Sequence, residues 1–149
     1  MVKREGLKVE KWVKNLLGGI LVPASGAIHA SLDIRSVKRW GKEFLLEVKM
    51  TTKNTYKLTM PLWQKIKSRA EIRMMHPALC VVFKTKFGKR GVILFRREDA
   101  PEGFPVDRTV EDFQRSNSAL DITPTDETLL VKWRGEELVI MPLIKWRQD

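Results

Sequence analysis

The sequence predicts an α/β domain: a mixed β-sheet flanked by helices, with a β-hairpin appendage at its C-terminal end. Three observations carry that prediction. Apolar residues recur at helical spacing over 7–17 and 61–75. Side chains alternate over 32–38 and 44–49, the pattern of half-buried strands. Residues 78–86 are almost continuously apolar, as expected of a strand covered on both faces. The order reads α-β-β-β-α-β-β before the appendage.

Each element has its own signal. In 7–17, Val9, Trp12, Val13, Leu16 and Leu17 form a stripe, Lys8, Lys11 and Lys14 lie off it, and Gly18-Gly19 stops the helix. Ile20-Leu21-Val22 is a short strand, and residues 23–30 form a small-residue loop containing Ser25 and Gly26. The strand at 32–38 sets Leu32, Ile34 and Ser36 on one side and Asp33, Arg35 and Val37 on the other. Residues 39–42 turn the chain into an antiparallel partner at 44–49. There Phe44, Leu46 and Val48 share one face, and Leu45, Glu47 and Lys49 the other.

Pro61 opens the second helix at a position where its missing N–H costs nothing. Leu62, Ile66, Ala70 and Met74 are its expected apolar stripe. After the strand at 78–86, residues 87–91 turn into another strand at 92–95. Residues 98–127 read as loop, with Pro101, Pro105 and Pro124, and 128–133 with 137–141 as a terminal hairpin around Arg134-Gly135. The expected division is a core over 1–97 and a loop-rich extension over 98–149 within the same domain.

At 149 residues the chain is long enough for one real core. One cysteine, Cys80, excludes an internal disulfide framework and reads as a small core residue. One Cys and two His (His29 and His76) are too few for a structural zinc site of the usual kind. Neither Gly18-Gly19 nor Gly88-x-x-Gly91 has the spacing of a phosphate-binding loop. No run reaches the ~18 apolar residues of a membrane span. The basic start faintly imitates a secretory signal, but Glu5, Glu10, Gly18-Gly19 and Pro23 interrupt it, so the expected location is cytoplasmic.

Charge is the strongest global feature. Lys and Arg total 28 against 18 Asp and Glu, a net charge of +10. The excess is concentrated in residues 1–100, with 22 basic and 8 acidic side chains, whereas 101–149 hold 6 and 10. A basic body of this kind suits a polyanion such as DNA. Lys8, Lys11, Arg35, Lys38, Arg39, Lys53 and Lys57 are the expected phosphate contacts.

The chemically informative set is Glu10, Asp33, Glu47 and Lys49. Glu47-Val48-Lys49 sets a carboxylate and an ammonium on one face of a strand, with Asp33 on its neighbour. Magnesium takes one or two carboxylates, keeps several waters and accepts phosphate oxygens. A lysine beside such an ion orients or deprotonates water, or steadies charge on a phosphate. Glu10, opposite the stripe of its helix, completes the shell or pairs with Lys14 one turn on.

Gly6-x-x-x-Glu10, the Ser25-Gly26 loop, Asp33, Phe44-Leu-Leu-Glu-Val-Lys49 and a helix carrying Gln64 follow one another in order. This arrangement resembles the archaeal-type Holliday junction resolvases of archaea and some phages, which belong to the restriction-endonuclease-like PD-(D/E)xK nucleases. The likeness runs from residue 6 to about residue 95. It implies a restriction-endonuclease-like core and a homodimer with one Mg²⁺-dependent site per subunit, Mn²⁺ substituting, that cuts paired strands of a four-way DNA junction. Glu10, Asp33, Glu47 and Lys49 would be its site residues, with Asp33, Glu47 and Glu10 on the metal and Ser25 in a mobile catalytic loop. The sequence departs from the pattern at Leu32, where proline is usual, and at Val22-Pro23, where a basic residue often enters the loop. The alternatives are another nuclease on the same core (flap, nicking or repair) or a non-catalytic nucleic-acid-binding module. The expected dimer contacts are the helix at 61–75, with Trp63, Met74 and Met75, and the Trp-bearing terminal hairpin.

Overall fold

The computed structural model describes residues 33–112 and 119–148, together with Trp12, Asn15 and the pair Ile20–Leu21. The helix expected at 7–17 and the loop at 23–30 lie outside the described residues, apart from helical Trp12 and Asn15.

Strands β1 (Ile20–Leu21), β2 (Asp33–Arg39) and β3 (Lys42–Thr51) run antiparallel in sequence. The β2–β3 connection is the two-residue turn Trp40-Gly41, with φ of 52° and 73°. Two successive left-handed residues match the right-handed twist of a hairpin. Gly41 adopts this conformation freely. Trp40 is a costly choice for it, and its ring is fixed instead by packing on Phe44, Phe95, Phe104 and Trp146.

After the short β4 (Tyr56–Leu58) comes helix α1 (Met60–Ile72). Thr59 caps it, its hydroxyl accepting from Leu62 N at 3.3 Å, and Pro61 stands in the first turn. The helix ends earlier than expected because Met74 turns left-handed at φ 57° and His76 precedes Pro77, which favours extended backbone. The chain then enters β5 (His76–Thr85), which lies beside β3 and parallel to it. Strand β6 (Gly88–Arg96) returns after the tight turn Lys86-Phe87, so 88–91 belong to a strand, not to the turn that the sequence suggested.

The region expected to be loop carries a 3₁₀ turn (Arg97–Asp99), β7 (Arg108–Asp112) and β8 (Leu120–Ile122). The terminal hairpin is present as β9 (Leu129–Trp133) and β10 (Glu136–Pro142), and a short helix α2 (Leu143–Gln148) follows. It is not an appendage. Strand β10 pairs with β6 from Leu138↔Arg96 to Pro142↔Val92 and sits between β6 and β9. Leu138 to Met141 are at most 4% exposed, and side chains of both sheet faces take part, which a projecting hairpin does not allow. Among the described residues, the result is an α/β fold on one mixed eight-stranded sheet, order β1-β2-β3-β5-β6-β10-β9-β7, with β4 and β8 as a separate pair.

Alternation along these strands divides the core in two. On one face Phe44, Leu46, Val48, Cys80, Phe95, Val139 and Trp146 pack together. On the other, α1 supplies Trp63 and Ile66 to a cluster with Leu79, Val81, Phe83, Leu94, Trp133 and Ile140. The small β4–β8 pair adds Leu58, Leu120 and Ile122 to that second cluster.

Candidate functional site

Glu47 lies in the middle of β3, on the face that α1 covers. Its side chain is 2% exposed. A buried carboxylate needs a countercharge, and Arg69 of α1 provides one: its Nη1 donates to Glu47 Oε1 at 2.8 Å. The pairing follows from helix geometry. Trp63, Ile66 and Ala70 are the buried stripe. Lys65 and Arg69, four residues apart, run along one flank of it. Lys67 serves the other flank and pairs with Glu136. Of the other expected stripe residues, Leu62 packs against the same cluster while only partly buried, and Met74 is 93% exposed.

Lys49 follows two residues after Glu47 and is half-buried. Burial holds its amine below the ordinary 10.5. Glu47 opposes that shift, while Arg69 and Lys65 add to it. Tyr56, on β4, is pushed the other way: burial raises its phenol, and the negative charge of Glu47 raises it further. Glu47, Lys49, Tyr56, Lys65 and Arg69 are therefore one electrostatic unit against α1. Sequence reading singled out Glu47 and Lys49, and not Tyr56, Lys65 or Arg69.

Asp33 is the first residue of β2 and pairs in register with Val48, while Ile34 pairs with Glu47. Direct partners in an antiparallel ladder share a face. The register therefore sets Asp33 opposite Val48, one residue out of phase with Glu47, and does not bring the two expected metal carboxylates to facing positions. Glu10, Ser25, Lys8 and Lys11 lie outside the described residues, and of Arg35 only the backbone position, opposite Leu46, is described. Among the described residues, no three His, Cys, Asp or Glu side chains converge as a metal-binding group.

The expected phosphate contacts divide into two kinds. Lys38, Lys53 and Lys57 are exposed, although Lys57 Nζ is within 3.7 Å of Asp121. Arg39 is committed elsewhere: its guanidinium lies 5.0 Å from the Trp40 ring and 5.3 Å from that of Trp146, and its Nε and Nη2 are buried. Trp40 is likewise a packing residue, not a free stacking platform. The expected dimer contacts also change. Trp63, Trp133 and Trp146 are at most 2% exposed and belong to the core of the chain itself. Ile72 and Met74 are the exposed apolar residues at that end of α1.

A second polar cluster lies near the N-terminal end of β5. Asp99, 3% exposed, accepts from Arg96 Nε at 2.8 Å and lies 2.9 Å from His76 Nδ1, while Lys42 Nζ donates to its carbonyl at 3.0 Å. These contacts fasten the 3₁₀ turn to β3 and β5.

No protein-family model matches the chain, and no curated protein matches it.

Proposed function

We propose that this chain is a metal-dependent DNA endonuclease with a restriction-endonuclease-like core, acting as a homodimer on four-way junctions. The observation that carries the reading is the buried Glu47 followed by the desolvated Lys49, on the β3 face that a basic helix covers. The topology supports it: an antiparallel pair, a helical crossover and a parallel strand returning beside Glu-x-Lys. So does the concentration of positive charge in residues 1–100.

A magnesium ion needs more than Glu47, a carboxylate already held against Arg69; the reading requires Asp33 and Glu10 to be brought to it. Glu47 and Asp33, with Glu10, would hold the ion, which when bound supplies charge neutralisation at a phosphate and a more acidic water. Lys49 has its own part. Because burial disfavours its charged form, its amine is proton-free more often than an ordinary lysine's, and so is available to take a proton from an attacking water. Exposed Lys38, Lys53 and Lys57 contact the DNA backbone, which fixes position and carries no sequence information.

The test is cleavage of a four-way junction against linear duplex of the same sequence, with Mg²⁺ and with chelator. Mg²⁺-dependent paired cuts confined to the junction are expected. Cuts on every DNA would leave a general nuclease, and binding without any cut would leave a nucleic-acid-binding module.

A further inference from the structure

We propose that the cavity beside His76 binds a phosphomonoester, the kind of phosphate that carries its own titratable proton. The cavity measures about 460 Å³ and lies between α1, the start of β5 and the end of β6. That size suits a small ligand. It is separate from the Glu47 unit. Gln64, Lys67, Ser68 and Glu71 line it at i, i+3, i+4 and i+7, one helix face, whereas Lys65 and Arg69 lie on another. His76 is its fixed point. The imidazole Nδ1 lies 2.9 Å from Asp99 Oδ1, and Asp99 is 4% exposed. A buried carboxylate takes a proton donor, so Nδ1 carries the ring's proton and Nε2 its lone pair. Arg96 Nε donates to the other carboxylate oxygen at 2.8 Å, and the Phe44 ring, 5.6 Å away between centroids, braces the imidazole. Fastening the 3₁₀ turn uses Nδ1 alone. Among the described residues Nε2 has no hydrogen bond, on a side chain that is 36% exposed.

The lining decides which ligand suits that nitrogen. Its donors are the Ser68 hydroxyl, which has no partner among the described residues, the Gln64 amide, Lys67, and Arg96, whose Nη1 is not used on Asp99. Lys67 also pairs with Glu136, and Gln64 Nε2 donates to Met60 Sδ at 3.5 Å. The one lining carboxylate, Glu71, is exposed to water. A surplus of donors favours an anion. Imidazoles and phosphomonoesters hold a proton with comparable strength. The monoester's P–OH donates to Nε2, or the proton passes to Nε2 and the imidazolium donates it back, with Asp99 steadying the positive ring. One proton, brought by the ligand, serves both states. A phosphodiester, such as a nucleic-acid backbone group, has no such proton. It sets anionic oxygens against the Nε2 lone pair until a proton is drawn from water. Met74 and Met75 give the ester's organic part an adaptable apolar wall. Asp99 acts here as a positioning residue.

The experiment is calorimetric titration in chelator, which keeps it independent of the nuclease reading. The probes are adenosine 5′-monophosphate, its methyl phosphodiester and adenosine, against wild type, His76→Gln and Ser68→Asp. Wild type should bind the monophosphate saturably, and the diester and adenosine more weakly by about tenfold or more, the worth of one charge-assisted hydrogen bond. His76→Gln should weaken the monophosphate by a similar factor and bring it level with the diester. Ser68→Asp places a negative charge in the lining from an exposed helix position, so it tests the site even if His76→Gln folds poorly, and it should abolish binding. Two sources of the same group are then separated with oligonucleotides. Preference for a 5′-phosphorylated strand over the free nucleotide marks a strand end as the ligand, and the reverse preference marks a free nucleotide. No saturable binding of the monophosphate by wild type, equal affinity for monoester and diester, or wild-type affinity in Ser68→Asp overturns the proposal.

Discussion

Replacing Arg69 by alanine should cost far more stability than an ordinary surface substitution. The carboxylate of Glu47 is 2% exposed, and Arg69 lies 2.8 Å from it. Removing one partner of a buried pair costs about 3–5 kcal/mol where nothing else compensates the charge, and Lys49 beside Glu47 keeps the loss toward or below the lower figure. Glu47→Gln should cost less, about 1–2 kcal/mol: the volume is kept, the amide oxygen still accepts a hydrogen bond, and Arg69 reaches water through its exposed fifth. In the double variant no charge is stranded, so its loss should fall well short of the sum, by about 2 kcal/mol or more. Urea unfolding of the four proteins, with fixed slope, gives these values. A loss under about 1 kcal/mol for Arg69→Ala, the size found for exposed pairs, would refute the idea that α1 supplies the countercharge that keeps Glu47 buried.

Three further outcomes follow from the same geometry. Lys49→Met should abolish cleavage yet stabilise the protein at neutral pH, where the charged amine suffers most from burial. Because the folded amine titrates below 10.5, the unfolded chain binds more protons between the two values. Wild-type stability therefore gains a component as pH rises through that window, and Lys49→Met should lack it in urea titrations at stepped pH. A chain ending at residue 127 should lose cooperative unfolding in circular dichroism, because β6 is then left without β10 and both core clusters lose members. Sedimentation of the proposed dimer should give about twice 17.3 kDa, and Trp63→Phe should leave that mass unchanged, since Trp63 is internal.

What the sequence revealed, and what it hid, follows the range of the interactions. The β2–β3 hairpin, α1 and the β9–β10 hairpin were readable because alternation, capping and Gly-containing turns are local. Glu47 and Lys49 were readable for the same reason: two residues on one strand share a face. The partnership of Glu47 with Arg69 spans 22 positions and depends on how the α1 crossover lies on the sheet, which no local period encodes. The stripe Leu62, Ile66 and Ala70 left Trp63 open between core and interface, and the structure buries it. The placement of β10 at the heart of the sheet was hidden because a hairpin's pattern does not say which third strand it joins. Its run Leu138-Val-Ile-Met141 was the available signal, since continuous apolar residues mark a strand covered on both faces. Tyr56 and Leu58, in a three-residue strand, offer too short an alternation to read.

The most direct measurement is cleavage of a synthetic four-way junction by wild type and by Glu47→Gln, with Asp33→Asn alongside, in Mg²⁺ and in chelator. The account predicts paired symmetric nicks by wild type in Mg²⁺ only. It predicts none from Glu47→Gln or Asp33→Asn, because a neutral amide is a poor ligand for a hard cation, with junction binding kept in both. Undiminished cutting by Glu47→Gln, or no Mg²⁺-dependent cutting of junction or duplex by wild type, would contradict it.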